Sequence, residues 1–405
     1  MLKSVKVAVL GYGTVGGGVA QVIDANRDAI AQKTGLDLEV KYILDLRDFP
    51  GDVNEKKVVH DIDIILKDPE ISVCCETMGG KRPAFDFSRR ALEAGKSVCT
   101  SNKELVEAFG PELLKVAAEH NCSYLFEASV GGGIPIIHNI CSCLTQDRIG
   151  SVQGILNGTT NYMLTKMANE GMDYEETLKE AQRLGYAERN PEADVEGHDS
   201  GRKIAILASL VFGKTVKYDK IHVEGISAVT STDIAYARKL NCKIRLLGKA
   251  GERGERVAAM VAPFLVKAGQ PLYMVDDVFN AIVVHGNMLG DTMYYGAGAG
   301  RRPTASAVVS DVITAGLNEG HTAACPWGTD EADVVPFEEM ENAFFVRTGV
   351  QDQERVKEVF GVEKFITLEG AAGECGFVTG RLTEGQFQVK YAALENRIGF
   401  LRMEA

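Results

Sequence analysis

The stretch Val5-Lys6-Val7-Ala8-Val9-Leu10-Gly11-Tyr12-Gly13-Thr14-Val15-Gly16 decides the fold of this chain. Its apolar first half predicts a buried strand, and the amphipathic residues from 15 to about 31 predict a helix. The turn between them has the spacing G-x-G-x-x-G. In a strand–turn–helix context this spacing is typical of a turn that holds a dinucleotide pyrophosphate, although a plain strand-to-helix turn is the alternative.

Each glycine of this turn has a separate expected role. Gly11 permits the tight turn, Gly13 lets the backbone approach a phosphate, and Gly16 lets the helix pack closely on the strand. The free N–H groups of the first helical turn, at Thr14 and Val15, would face the phosphates with a partial positive charge.

Length and composition limit the function classes. The 405 residues are enough for two or three domains, and the net charge of −12 argues against nucleic acid or an anionic membrane as a partner. No apolar stretch reaches transmembrane length, and a strand that begins at residue 5 leaves no room for a signal peptide, so a cytoplasmic protein is expected. The nine irregularly spaced cysteines predict free buried thiols rather than a zinc site.

The end of the second predicted strand, residues 38–44, is where such a fold reads the adenosine ribose. Asp45 would accept a hydrogen bond from the 2′-hydroxyl of NAD, whereas Arg47 would pair with the 2′-phosphate of NADP. Both are present, so the choice between NAD and NADP stays open. A loop of solvated charges is the alternative for this segment.

Short strands at 71–77, 97–100 and 123–128 alternate with helices at 83–94 and 104–120, which predicts a doubly wound parallel sheet of Rossmann type over residues 1–134. Lys103 follows the strand 97–100 at the carboxyl edge of this sheet, where ligands bind. A glycine run at 131–133 then marks the exit from the domain. It could turn carbonyl groups toward a cation or serve as a flexible linker.

Residues 135–320 predict a second, α+β domain with a mixed sheet, suited to substrate binding and to an oligomer interface. Its small-residue stretch at 293–304 leads into a helix at about 303–318 that would return to the nucleotide domain. An acidic linker at 321–342 precedes a separate module at 343–405, whose pattern βαββαβ, with a strand at 364–369, is ferredoxin-like.

The most informative chemistry lies in residues 185–203, a carboxylate-rich loop that leads into a helix. Asp199 and Lys203 are four apart and share one face of that helix. A lysine can protonate an alkoxide if its pKa is lowered, or it can stay charged and stabilise the oxyanion, while carboxylates suit a substrate ammonium. The alternative is a solvated acidic loop with a surface ion pair.

Three blocks of residues 4–320 resemble the homoserine dehydrogenase family. They are the glycine motif at 11–16, the segment Thr100-Ser101-Asn102-Lys103, and the run from Gly185-Tyr186-Ala187-Glu188 through Asp194 and Asp199 to Lys203. The resemblance implies the NAD(P)H-dependent reduction of L-aspartate 4-semialdehyde to L-homoserine in the threonine and methionine branch of amino-acid biosynthesis. It also implies a homodimer or homotetramer.

The resemblance assigns roles by position. It implies Lys203 as the proton donor, Lys103 as a second catalytic lysine, and Asp199 as the group that orients them. The substrate residues that it implies are Glu188 for the ammonium group, Asp194, Asp199, Gly158, Thr159 and Tyr186. Cofactor contacts would include Thr100, Lys103 and Gly298. A monovalent cation, Na⁺ or K⁺, would be held by main-chain oxygens of Glu127, Val130, Gly132 and Ile134.

The sequence departs from the family pattern in two places. Leu44 stands where many members have an arginine suited to a 2′-phosphate, which weakens the assignment of NADP. The module at 343–405 resembles a shortened ACT domain without the usual Pro-Gly, which puts a threonine effector there in doubt. Two alternatives stay open: another Rossmann reductase of an amino-acid carbonyl, and a nucleotide-sensing regulatory protein.

Overall fold

The computed structural model describes residues 2–404 and builds them around two sheets. The first sheet and its helices consist of β1 Lys3–Leu10, α1 Thr14–Thr34, β2 Leu36–Leu44, β3 Val58–Val59, α2 Ile62–Lys67, β4 Ile71–Glu76, α3 Ala84–Glu93, β5 Ser97–Thr100, α4 Lys103–Glu119 and β6 Tyr124–Leu125.

The first sheet has the strand order β3-β2-β1-β4-β5-β6 and is parallel throughout. The order reverses between β1 and β4, and a ligand crevice forms where it reverses, outside the carboxyl ends of the strands. The predicted Rossmann sheet is therefore confirmed. The strand expected at 123–128 is shorter than predicted, because a 3₁₀ turn at Glu127–Ser129 replaces its second half.

The second sheet has ten strands and is mostly antiparallel. Helices of the second domain pack against its strands β7, β9 and β10. Its elements before residue 320 are β7 Ile149–Ile155, α5 Gly158–Glu170, α6 Tyr174–Arg183, α7 Glu192–Val195, α8 His198–Phe212, β8 His222–Val223, α9 Ser231–Lys239, β9 Cys242–Arg253, β10 Arg256–Lys267, β11 Phe279–Gly286, β12 Gly290–Ala297 and α10 Arg301–Leu317. The mixed sheet was predicted. Strand β12 was not, since its glycines and exposed alternate residues read as a loop.

Helix α10 follows the second sheet in the chain but packs on the first. A Cβ built on Gly18 of α1 would lie 2.9 Å from the Cβ of Ala305 in α10, so small residues bring the two helices together. Val308 and Val312 of α10 are buried in the same core cluster as the strand residues Val5 and Val7.

The carboxyl-terminal residues add β13 Glu341–Gly349, α11 Gln353–Phe360, β14 Glu374–Val378, β15 Leu382–Thr383, α12 Glu384–Ala392 and β16 Arg397–Met403. Strand β16 lies between β10 and β13 and is parallel to β10, so the second sheet runs across the predicted boundary at residue 343. The strand predicted at 364–369 is wrong. Only Ile366 bridges to Gly376 there, because Phe365 and Leu368 pack against two different core clusters instead of continuing the pairing.

Two other expectations need correction. The acidic linker is packed rather than loose, because Trp327 and Val335 are buried and short bridges join Glu331 to Thr215 and Val334 to Val257. All nine cysteines are free, but they are not all buried: Cys143 is exposed, and Cys141 and Cys325 are partly exposed. Within residues 2–404 no helix combines the length and the apolar character needed to cross a bilayer.

Candidate active site

Two lysines from different domains share one carboxylate. Asp199 accepts from Lys103 Nζ at 3.0 Å through Oδ1 and from Lys203 Nζ at 2.7 Å through Oδ2. Lys203 Nζ also donates to the Leu156 carbonyl at 2.7 Å. The side chains of Asp199 and Lys203 are 7% and 10% exposed, whereas that of Lys103 is 38% exposed. The cluster therefore joins the nucleotide and substrate domains and opens at Lys103.

Local sequence explains how these side chains reach one place. Helix α4 begins at Lys103, directly after β5, and Asn102 caps it by accepting from Leu105 N. Helix α8 begins one residue before Asp199, after Gly197 with φ of +80°, a left-handed conformation that favours glycine. One turn of α8 separates Asp199 from Lys203, so both side chains project from the same face.

Asn157 completes the cluster and was missed by the sequence reasoning. Its Nδ2 donates to Asp194 at 2.7 Å and to Asp199 at 2.9 Å, while its Oδ1 accepts from Thr160 N at the start of α5. An Asn-Gly pair after a predicted strand is an N-cap signal and could have located this residue. The two hydrogen bonds from its amide group to Asp194 and Asp199 depend on the tertiary fold.

The charges in the cluster shift its pKa values in opposite directions. Asp199 raises the pKa of Lys103, which outweighs the effect of burial. Burial raises the pKa of Asp199, but the ammonium groups of Lys203 and Lys103 hold it well below its usual range. Burial and the charge of Asp199 raise the pKa of Asp194. A lysine that gives a proton at a lowered pKa and a lysine that stays charged were the two alternatives, and the raised pKa of Lys103 favours the second for this residue.

The other predicted substrate residues surround the start of α5. Thr159 Oγ1 donates to the Tyr186 carbonyl at 2.6 Å, and Gly158 is the first residue of the helix. Tyr186 is 44% exposed and its ring packs 4.9 Å from that of Tyr162. Glu188 is exposed, and its main-chain oxygen accepts from Gln182 Nε2. The loop that carries Tyr186 and Glu188 thus contacts helix α5 through the Tyr186 carbonyl, whereas the Glu188 side chain is exposed to solvent.

The glycine turn has the shape expected of a phosphate cradle. Gly11 has φ of +93°, and a Cβ on Gly16 would lie 2.0 Å from the Gly11 carbonyl oxygen. A Cβ on Gly13 would meet no atom within 4 Å, so this face of the turn is open. The first amides of α1, at Thr14 and Val15, follow at the helix N-terminus.

A cavity of about 470 Å³ adjoins the turn and includes Met78, Pro83, Phe87 and the end of β2. At its polar end Asp45 accepts from Tyr12 N at 2.8 Å and from Arg47 Nε at 2.9 Å. The guanidinium beside Asp45 holds the pKa of that carboxyl well below its usual range. Both residues that were predicted to read the ribose, Asp45 and Arg47, therefore line this cavity together with apolar side chains.

Thr100 and Gly298 have structural contacts of their own. Thr100 is fully buried and its hydroxyl donates to Glu76 Oε2 at 2.6 Å. A Cβ on Gly298 would lie 2.0 Å from Nδ2 of Asn280, whose buried Oδ1 accepts no hydrogen bond within the described residues. Gly298 is therefore required by close packing against Asn280, and the Thr100 hydroxyl is occupied by Glu76.

The residues named for a monovalent cation lie at the junction of the two domains. The buried Glu127 carboxylate accepts from Ile137 N at 2.9 Å and from His138 N at 2.6 Å. Burial raises the pKa of Glu127. The Ile134 carbonyl accepts from Ile136 N. Neither acidic nor thiol side chains form a metal-binding group within residues 2–404, so a cation here would depend on main-chain oxygens.

The glycine turn after β1 and Lys103 after β5 lie at the same carboxyl edge of a parallel sheet, and Asp199 and Lys203 of the second domain meet them there. A dinucleotide held at this edge and an ammonium group fixed beside it are the two requirements for hydride transfer to or from a carbonyl carbon. The fold and the site define a two-domain, dinucleotide-dependent oxidoreductase.

Comparison with known proteins identifies the family. The family models described as homoserine dehydrogenase and as its NAD binding domain match residues 135–313 and 11–127. A homoserine dehydrogenase of Bacillus subtilis is 42% identical over 319 residues, which are 77% of this chain and 73% of that relative. The chain belongs to the homoserine dehydrogenase family and is an NAD(P)-dependent oxidoreductase that acts on a CH–OH group.

Solved structures agree with this assignment. A homoserine dehydrogenase from Thiobacillus denitrificans has a TM-score of 0.91 and 32% identity, covering 100% of this chain and 99% of its own. A hyperthermophilic archaeal homoserine dehydrogenase in complex with NADPH has a TM-score of 0.65 and 28% identity, covering 78% of this chain and 98% of its own.

Proposed function

We propose that this chain interconverts L-aspartate 4-semialdehyde and L-homoserine, with Lys203 as the proton donor and Lys103 as a fixed positive charge. The observation that carries this proposal is the buried carboxylate of Asp199 held between the two lysine Nζ atoms. A bound NADH or NADPH supplies the hydride.

The surroundings of Lys203 leave one of its N–H groups for proton donation. An ammonium has three N–H donors, and two of those on Lys203 point to the Leu156 carbonyl and to Asp199 Oδ2. The third is free for the oxygen of the reacting carbonyl. Lys103 has a raised pKa, so it stays charged at neutral pH and stabilises the developing alkoxide electrostatically.

The same site can hold both ends of an amino-acid aldehyde. The amides of Gly158 and Thr159 at the start of α5 suit the substrate carboxylate. Asp194 is a carboxylate whose pKa is raised by burial and by Asp199, so a substrate ammonium beside it would relieve an unfavourable charge. Glu188 would meet the same ammonium from the exposed loop, next to Tyr186.

The test is the variant Lys203→Met, assayed at the nicotinamide absorbance band with homoserine and each cofactor. Loss of a general acid lowers kcat by about 10²–10⁴-fold, while the dinucleotide Kd stays unchanged. Lys166→Met is the matched control, because Lys166 forms a comparable i,i+4 pair with Glu170 at the surface. Near-normal turnover of Lys203→Met would remove this lysine from the proton-donor role.

We also propose that the Asp45–Arg47 pair lets either NAD or NADP bind. The ribose hydroxyls of NAD can replace Arg47 as donors to Asp45, whereas a 2′-phosphate can replace Asp45 as the partner of Arg47. In Arg47→Ala the KM for NADPH rises roughly tenfold and that for NADH changes little. An equal rise for both cofactors contradicts this division of roles.

Na⁺ or K⁺ at the main-chain oxygens of Glu127, Val130, Gly132 and Ile134 would be structural. The four residues fall within one short stretch at the domain junction, and Gly132 has φ of +57°, a conformation that turns its peptide groups away from the usual course. If Na⁺ or K⁺ binds there, the thermal midpoint of unfolding rises with added NaCl or KCl but not with choline chloride at equal ionic strength.

Residues 343–405 would form an ACT-like module of a cytoplasmic homodimer or homotetramer. Strands β16, β13 and β14 stand in the order fourth, first and third of this segment, and Ile366 bridges to β14 where the second would be. This order is that of a ferredoxin-like sheet. Light scattering decides the oligomer, and calorimetric titration with threonine decides whether the module binds this effector.

A further inference from the structure

A pair of cysteine side chains that the catalytic mechanism does not use lies beside the domain junction. The thiols of Cys141 and Cys325 line one cavity and lie near enough to shift each other's pKa, although they are far apart in the sequence. Cys141 belongs to a one-turn π-helix, Asn139–Cys143, and Cys325 belongs to the packed segment that precedes β13. Tertiary folding has therefore brought two free thiols to one cavity.

Both thiols are held in place by buried neighbours. Ile140, next to Cys141, is 4% exposed, and its amide donates to the Ile136 carbonyl. Trp327, two residues after Cys325, is 7% exposed, and its Nε1 donates to Thr215 Oγ1 at 3.1 Å. The placement of both thiols at this cavity is thus part of the folded structure.

A small oxidant can reach this pair. Cys141 and Cys325 line a cavity of about 180 Å³, and both are partly exposed. By contrast, Cys74, Cys75 and Cys99 are completely buried in the nucleotide domain. Hydrogen peroxide is scarcely larger than water, so it can enter where larger reagents cannot.

The environment makes the two sulfur atoms chemically different. The neighbouring Cys141 thiol and the Trp327 amide lower the pKa of Cys325, and the effect of Cys141 is the larger, despite burial. The same neighbouring thiol, Cys325, raises the pKa of Cys141 far above its usual range. Cys325 is therefore the better nucleophile, since the thiolate is the reactive form, and Cys141 is placed as the thiol that resolves its oxidation product.

We propose that Cys141 and Cys325 form a peroxide-sensitive dithiol site that closes reversibly to an intrachain disulfide. The Cys325 thiolate attacks one oxygen of hydrogen peroxide, the O–O bond breaks, and the products are a sulfenic acid on Cys325 and hydroxide, which is protonated to water. The Cys141 sulfur then attacks the Cys325 sulfur. An S–S bond forms, the S–O bond breaks, and the departing hydroxide takes the Cys141 proton as a second water.

The disulfide would tie the packed segment before β13 to the turn that follows Ile137 and His138. Those two residues donate the amides that hold the Glu127 carboxylate at the domain junction. A thiol–disulfide pair in an otherwise reducing environment is a reversible modification rather than a permanent structural bond. A dithiol reductant restores both thiols by exchange.

The experiment treats the full-length protein with hydrogen peroxide, blocks the remaining thiols with iodoacetamide, and analyses intact and digested protein by mass spectrometry. The expected product carries two carbamidomethyl groups fewer than protein blocked without peroxide treatment, and it yields one linked pair of peptides, containing Cys141 and Cys325. Dithiothreitol removes the link. Cys143→Ser is the matched control, because Cys143 is exposed and only two residues from Cys141, and it gives the same linked pair.

Two further variants test the order of events. Cys141→Ser leaves the oxidation at a Cys325 sulfenic acid that dimedone traps, and Cys325→Ser reacts with peroxide roughly tenfold more slowly. A link that involves Cys143, or oxidation of Cys325→Ser at the wild-type rate, overturns the proposal. So does the absence of any linked pair in wild type and Cys143→Ser, which decides the question even if the other variants fail to fold.

Discussion

At the scale of the residue, the Asn157 amide organises the candidate site. Its Nδ2 group donates to two carboxylates that would otherwise repel each other. Its Oδ1 caps the start of helix α5 by accepting from Thr160 N. The side chain thereby couples the position of Asp199, which holds both lysines, to helix α5, where the proposed substrate residues Gly158 and Thr159 lie. Asn157 was not among the expected catalytic groups, and this coupling makes it a positioning residue.

Asn157→Ala is predicted to lower kcat about tenfold or more and to destabilise the protein by about 1 kcal/mol through loss of the helix cap. Asp173→Ala is the matched control, because Asp173 caps α6 by accepting from Glu176 N and is remote from the lysines. Steady-state kinetics and chemical unfolding of both variants measure the two effects. Equal turnover in the two variants contradicts the positioning role.

At the scale of the element, three helices begin at residues of the candidate site. Helix α1 begins at the glycine turn, α4 begins at Lys103 and α8 begins at the residue before Asp199. A helix N-terminus favours negative charge, so Asp199 is well placed, whereas Lys103 is not. The ion pair with Asp199 offsets the unfavourable position of Lys103, which explains why these two groups from different helices belong together.

The glycine turn gives a prediction that separates packing from ligand contact. Gly16→Ala forces a Cβ to within 2.0 Å of the Gly11 oxygen and moves α1 away from β1, so both stability and dinucleotide binding fall. Gly13→Ala meets open space and is predicted to fold normally while its dinucleotide Kd rises roughly tenfold or more. Thermal unfolding and fluorescence titration with NADPH distinguish them. A Gly13→Ala protein with unchanged Kd contradicts the phosphate contact.

At the scale of the whole molecule, the carboxyl-terminal strands are integral to the second sheet. Phe264 and Leu265 of β10 pair with Arg402 and Met403 of β16, and the fully buried Arg402 side chain forms ion pairs with Glu224 and Glu384. Charged and hydrogen-bonded contacts therefore join the last strand to both the substrate domain and α12.

Removal of residues 343–405 is predicted to lower the soluble yield and the thermal midpoint, not merely to abolish regulation. The deletion exposes the edge of β10 and leaves Glu224 without Arg402. Soluble expression and differential scanning calorimetry of the truncated chain measure this effect. A truncated protein with wild-type midpoint and turnover shows instead that the segment is dispensable for folding.

The Glu224–Arg402 pair also predicts a pH dependence. Burial raises the pKa of Glu224, but hydrogen bonds from His222 and Arg402 outweigh burial and bring it to about 2, below the ordinary value of 4.5. The ionised carboxylate thus stabilises the folded chain above pH 4.5, and this contribution is lost as the pH falls toward 2. Since one third of the side chain is exposed, the contribution is about 1–2 kcal/mol.

Glu224→Gln is therefore predicted to unfold more easily than wild type at neutral pH and equally easily near pH 2. Urea unfolding across the acidic range measures the difference in free energy of unfolding. Glu338→Gln serves as the control, because Glu338 is an exposed glutamate that forms no ion pair within the described residues. A constant difference at every pH contradicts the ionic origin of the effect.

The sequence by itself determined the nucleotide domain, because its information is local. An apolar run, three spaced glycines and an amphipathic helix specify a strand, a turn and a helix without reference to the rest of the chain. The i,i+4 relation of Asp199 to Lys203 was readable for the same reason. Lys103 could be placed at the ligand edge of the sheet because parallel strands end at a common edge.

Only the tertiary structure decided which distant groups act together. The sharing of Asp199 by two lysines, the two hydrogen bonds of the Asn157 amide, the placement of Cys141 and Cys325 at one cavity and the insertion of β16 beside β10 all bring together residues far apart in the chain. No local pattern encodes such arrangements, because they arise when separate elements pack. Burial and the charges brought near by other elements, which together set the direction of the pKa shifts at the site, are likewise properties of the packed molecule.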